Sequence, residues 1–139
     1  MSIDSSLIGK SSAPQTFQVT REAVQRFMEA IDDPALQRGE PPEYAPPTFP
    51  TTFRVRIPEL GLDGSKMQLL HGEQVYDYTR RLRVGEEVTC VARVVDVRER
   101  TGRTGPMTIV VTEMTGTGSD QQPIFTARST VIVRGQRGT

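Results

Sequence analysis

The sequence predicts an α+β fold: a large, curved antiparallel sheet closed over helical material from the first half of the chain. Three observations predict it. An amphipathic helix is written between Thr20 and Pro34, the stretch after it is too rich in proline for a long helix or a central strand, and beyond His71 apolar and polar residues alternate with the period of a strand. The 139 residues suit one domain, which at this size buries roughly two thirds of the surface its unfolded chain exposes. Residues 1–139 are accordingly read as a single domain with its core between about 10 and 134.

In "TREAVQRFMEAIDDP", Val24, Phe27, Met28 and Ile31 recur at i, i+3, i+4 and i+7, one stripe of a helix about three turns long. Thr20 is placed to cap it, Glu22 sits favourably in the first turn, and Pro34 ends it by disfavouring helical geometry at Asp33. The following "ALQRGEPPEYAPPTFPTTF" carries Pro41, Pro42, Pro46, Pro47 and Pro50 and is predicted as loop, with Pro47 able to open a short helix through "TFPTTFRVR".

Four strands are predicted, at about 73–82, 86–100, 106–116 and 123–134, forming a meander. Turn chemistry separates them: "RVGEE" around Gly85, "RTGRTGP" with Gly102 and Gly105, and "GTGSDQQP" with Gly116 and Gly118. In the last strand Phe125, Ala127, Ser129, Val131 and Val133 share one face against Thr126, Arg128, Thr130 and Arg134, with Ile132 breaking the pattern. The second and third strands exceed the usual five or six residues, so the sheet should bend, and a bent sheet must be filled on its inner side.

The 17 basic and 17 acidic residues cancel and are dispersed apart from "TRRLR" and "RERTGR", which argues against a nucleic-acid surface. Cys90 is the only cysteine, so no internal disulfide exists; flanked by "EVT" and "VAR", it reads as a buried thiol suited to a reducing cytosol. "MSIDSSLIGK" has neither a cationic start nor a long apolar stretch, and no run approaches the roughly 20 apolar residues of a membrane span, so a soluble, cytoplasmic protein that is not exported and has no metal site is expected.

Each candidate site residue has both a structural and a chemical reading. His71, the sole histidine, is either an acid or base or a member of a local network with Gly72, Glu73 and Gln74. Asp32 and Asp33 are a helix stop or a catalytic carboxylate. "PPTF" enters a helix, or offers the N–H of Thr48 or Phe49 to an oxygen; Pro47 has no N–H to give. Arg80, Arg81 and Arg83 are solvated strand ends or phosphate contacts. Tyr76 and Tyr78, alternating with Val75 and Asp77, pack the sheet.

In order along about residues 10–134, "AIDDP", "APPTF", "LLHGEQVYDYTRRLRVGEEV", "GPMTIVVTE" and "ARSTVIVR" resemble the MaoC-like acyl dehydratases, in particular their FAS1-like, N-terminal type of hot-dog domain. The resemblance implies a sheet wrapped around a central helix, domains working in pairs, and acyl thioesters of coenzyme A or acyl carrier protein interconverted between 2-enoyl and (3R)-hydroxyacyl forms without a metal or redox cofactor. Catalytic members carry an Asp and a His within "G-D-x-N-P-x-H". Here residues 30–37 read "A-I-D-D-P-A-L-Q": Asp32 or Asp33 stands for the aspartate and Pro34 for the proline, but the glycine and asparagine are missing and Leu36 or Gln37 falls where the histidine belongs. Neither can shuttle a proton near neutral pH.

The expectation is therefore the substrate-binding, catalytically degenerate partner in a heterodimeric hydratase or dehydratase. Its alternatives are a self-sufficient homodimeric hydratase or thioesterase with an altered site, and a non-enzymatic acyl-CoA-binding protein. The catalytic candidates are Asp32, Asp33 and His71, of which the resemblance makes His71 a scaffold or tunnel contact, since the family's catalytic histidine belongs just after "DDP"; Pro47, Thr48, Phe49, Gly72 and Gln74 are the candidate substrate contacts, and Arg80, Arg81 and Arg83 the candidate phosphate contacts.

Overall fold

Residues 3–62, 65, 67–103 and 105–136 are described by a computed structural model, the side chains of 135 and 136 apart; Thr104 of the predicted "RTGRTGP" turn lies outside them. The predicted helix is α1, Arg21–Ala30, and Thr20 caps it by accepting the Ala23 N–H at 3.1 Å. Val24 and Met28 are buried and Phe27 half-buried, as the stripe requires, but Ile31 is 46% exposed because the helix has already ended at Ala30. The ending is a left-handed cap. Asp32 takes φ 54°, and the Asp32 and Asp33 N–H groups return to the Glu29 and Met28 carbonyls at 3.2 and 2.9 Å.

Among the described residues, five antiparallel strands follow the order β1-β3-β4-β5-β2 in one curled, half-barrel sheet. They are β1 (Gln15–Gln18), β2 (Met67–Tyr78), β3 (Glu87–Gly102), β4 (Gly105–Thr117) and β5 (Pro123–Gln136). The short, mostly exposed β1 carries no alternation that would have announced it, and it pairs with β3 from Gln15↔Cys90 to Gln18↔Glu87. Only β3, β4 and β5 form the expected meander. The strand before them, β2, pairs with β5 on the far edge, so "RVGEE" does not close a hairpin but carries the chain across to β3, beside the opposite edge.

The interior of the bend is filled jointly. Val24 and Met28 of α1 meet Phe49, which opens a 3-10 turn at Phe49–Thr52, and Phe53, which follows it, and together they pack on Val88, Cys90, Ile124, Phe125 and Ala127 of the sheet. Aromatic rings knit this cluster: Phe17 stacks on Phe53 at 4.7 Å, and Phe49 meets both Phe27 and Phe53 edge-on at 5.6 Å. The short helix expected after Pro47 stops after that single turn. The next residues, "FRVRI", alternate buried Phe53, half-buried Val55 and buried Ile57 with exposed Arg54 and Arg56, a strand-like period that favours an extended strap. Cys90 is fully buried, and burial pushes its thiol up to about 12.

Gly116, read from the sequence as a turn residue, lies on β4 opposite Phe125. A side chain there would meet the Phe125 ring at 2.2 Å, so glycine is what lets that buried ring lie flat on the sheet.

Candidate functional site

The site begins with a bulge in β2. The ladder to β5 runs His71↔Val131 and then Glu73↔Thr130, which leaves Gly72 as an extra residue. Strand side chains alternate faces, so residues three apart should point opposite ways. The bulge cancels that rule: the half-buried positions are Met67 and Leu69 before Gly72, but Gln74, Tyr76 and Tyr78 after it. His71 and Gln74 consequently line the same groove.

This groove, of about 340 Å³, has the strap residues Phe53 and Val55 on one side and Tyr76, Met114 and Ala127 of the sheet on the other. Its polar groups are His71, Gln74, Thr51, Thr112, Ser129 and the phenol of Tyr76, and no carboxylate lines it among the described residues. A second cleft of about 260 Å³, bounded by Ile57, Leu60 and Leu62, shares Val55, Ala92 and Thr112 with the first. The strap is thus flanked by two adjoining clefts lined by apolar and polar residues together, which offer room for an extended acyl group.

His71 is exposed, and its Nε2 lies 3.2 Å from the Glu73 carbonyl. A carbonyl only accepts, so the neutral ring carries its proton on Nε2 and leaves Nδ1 as an acceptor. Gln74 faces Ser129 directly across the ladder, and the Ser129 hydroxyl donates to Gln74 Oε1 at 2.5 Å. Ser129 was legible from sequence only as a polar residue on the apolar face of β5, between Ala127 and Val131. Tyr76 and Tyr78 pack the sheet as predicted, their rings 6.4 Å apart. Burial raises both phenols, and for Tyr78 the neighbouring Tyr76 adds to the effect. The Tyr78 hydroxyl donates to the Pro47 carbonyl at 2.6 Å and so pins "PPTF" to the sheet.

The remaining predicted residues sit elsewhere. Asp33 caps a 3-10 turn at Pro34–Arg38 by accepting the Ala35 N–H at 3.0 Å, and Asp32 is the exposed left-handed residue that ends α1. Leu36 packs against the core cluster and Gln37 is exposed. Asp33 faces a separate cleft of about 400 Å³, shared with Tyr44, Pro47 and Arg81, so the structure places Asp33 and His71 in different clefts. The Phe49 N–H is taken by the Pro46 carbonyl at 2.9 Å and its ring is core; Thr48 and Pro47 are exposed.

The three arginines also divide. Arg80 is held by Glu86 through two hydrogen bonds of 3.0 and 2.8 Å, while Glu86 accepts the Arg83 N–H at 2.6 Å. Burial alone would raise the Glu86 carboxyl; these bonds and the charges of Arg80 and Arg83 outweigh it and hold the group below its ordinary range. The motif "R-x-G-E-E" is thus the lock of the β2–β3 connection. Arg81 instead lies over the Tyr44 ring at 4.1 Å and Arg83 at 5.8 Å, leaving both guanidinium groups exposed beside the Asp33 cleft. Among the described residues no group of three His, Cys, Asp or Glu side chains is placed to hold a metal, and no helix is long and apolar enough to cross a membrane.

Residues 6–127 match the family described as the FAS1-like dehydratase domain region. A UPF0336 protein of Saccharopolyspora erythraea is 32% identical over 152 residues, covering 97% of this chain and 94% of the relative. The C-terminally truncated HadBC (3R-hydroxyacyl-ACP dehydratase) complex of Mycobacterium tuberculosis contains a chain similar at a TM-score of 0.67 and 22% identity, with 91% of this chain and 96% of that one covered. A chain of the ChsH1-ChsH2 complex of the same organism gives 0.68 at 19% identity, covering 93% and 86%. These likenesses show the hot-dog fold.

Proposed function

The chain belongs to the FAS1-like dehydratase family of hot-dog domains, and from that premise we propose that it is the substrate-binding, catalytically degenerate subunit of an (R)-specific 2-enoyl thioester hydratase, or (3R)-hydroxyacyl thioester dehydratase. One observation carries the reading: a groove beside the strap, adjoined by a second cleft, in which no carboxylate among the described residues accompanies the histidine. Hydration of a conjugated thioester needs a base for the water, an acid for the alpha carbon and donors for the enolate-like oxygen. This groove has the donors. Its acid–base pair is incomplete, because Asp32 and Asp33 serve the helix end and Leu36 and Gln37 occupy the histidine's place.

A partner hot-dog chain then supplies the pair. That the similar structures are named as HadBC and ChsH1-ChsH2 complexes supports a heterodimer. The ligand is an acyl thioester of coenzyme A or an acyl carrier protein, whose phosphates suit the exposed Arg81 and Arg83. Addition of water transfers no electrons, so the reaction requires no redox cofactor.

The test is hydration of a 2-enoyl thioester by the purified chain, alone and co-expressed with a hot-dog chain carrying an intact "D-x-N-P-x-H". Background activity alone and turnover in the complex are expected. A homodimer that turns over by itself, and loses this in His71→Ala at unchanged melting temperature, would overturn the reading in favour of a self-sufficient enzyme.

A further inference from the structure

Gln74 on β2 and Ser129 on β5 are direct partners in the ladder, and both line the groove. An amide side chain can present either its oxygen or its N–H₂ to a ligand, and in a free glutamine the two are interchangeable by rotation of the terminal torsion. The Ser129 hydroxyl donates to Gln74 Oε1, which turns the oxygen toward β5, and the two N–H groups have no partner among the described residues.

We propose that Ser129 is a positioning residue that holds the Gln74 amide with its N–H₂ toward the groove, as the donor to the carbonyl oxygen of the bound acyl group. The proposal rests on the acyl-binding reading above and names the contact within it. Three features select this ligand chemistry. The amide donors are neutral and no arginine or lysine among the described residues lines the groove, so the acceptor they suit is a neutral carbonyl rather than a carboxylate or phosphate. The surrounding wall of Phe53, Val55, Met114, Ala127 and the Tyr76 ring is mostly apolar, where a hydrogen bond to a carbonyl is worth more than in water. And the hydroxyl that orients the amide comes from another strand, so it stays in place when a ligand arrives.

The experiment measures binding of hexanoyl-CoA and of hexyl-CoA, its thioether analogue without the carbonyl oxygen, to the full chain, with its partner where one co-purifies. Wild type should prefer the thioester by roughly three- to tenfold, the range of one hydrogen bond. Ser129→Ala and Gln74→Leu should bring the thioester-to-thioether affinity ratio to near one in proteins that still melt cooperatively, and Ser129→Thr should restore it. A Ser129→Ala protein that weakens on both ligands alike, or keeps the preference, overturns the proposal. Equal binding of both ligands by wild type overturns it while leaving the acyl-binding reading intact. If wild type binds neither, both fall.

Discussion

His71 and Gln74, three residues apart on one strand, line the same groove because Gly72 between them is the extra residue of a bulge. The bulge depends on the count of residues and not on the absence of a side chain: a methyl group at Gly72 would meet Ile132 Cδ1 and the Thr130 carbonyl at an ordinary 3.5 Å. Gly72→Ala should therefore change stability by less than about 0.5 kcal/mol and leave acyl-CoA binding intact. Deleting Gly72 should turn Met67, Leu69 and His71 to the opposite face and abolish binding. Titration calorimetry with an acyl-CoA on the two proteins checks this, and binding retained by the deletion would refute the bulge's role.

The two aspartates should respond in opposite directions to truncation. Asp32 sits at φ 54°, where a residue without a side chain is at less cost, so Asp32→Gly should stabilise by about 0.5–1 kcal/mol. Asp33 caps a turn with its carboxylate, and Asp33→Ala should cost about 1 kcal/mol. Urea unfolding measures both. A carboxylate with a catalytic part would also lower the activity of the partnered complex, and here neither substitution should do so beyond its effect on stability.

Gly116→Ala tests the close approach of β4 to Phe125. The added carbon would lie 2.2–2.8 Å from three ring atoms of a side chain that is 2% exposed, so the ring has nowhere to retreat without disturbing Phe53 and Tyr78. A loss of about 2–3 kcal/mol is expected in denaturant unfolding, and a loss under about 0.5 kcal/mol would contradict the packing.

The Arg80–Glu86 lock gives a pH signature. The folded-state Glu86 pKa lies below its ordinary 4.5, so the folded protein holds the charged form more readily than the unfolded chain does. Its stabilisation is fully present above about 4.5 and is lost as pH falls through the lower folded value. Arg80 is partly exposed, which limits the effect to about 1 kcal/mol. Glu86→Gln should accordingly be less stable than wild type at pH 7, with the gap closing on acidification below about 4.5. Parallel thermal melts across pH 3–7 check it, and a gap that is constant with pH would exclude the charge as its cause.

From the sequence by itself came the features whose causes are local. A capping threonine, a stripe at helical spacing and a proline determine α1; five prolines determine the loop; alternation determines that Tyr76 and Tyr78 share a face. The missing histidine after "DDP" was equally visible, since a residue's chemistry does not depend on folding. The tertiary structure alone decided that β2 crosses to β5, that Gly72 is a bulge, and that Ser129 orients an amide 55 residues away. Those relationships belong to the register between strands far apart in the chain, which is set by how the two strands pack and hydrogen-bond when they meet, and which neither strand encodes separately.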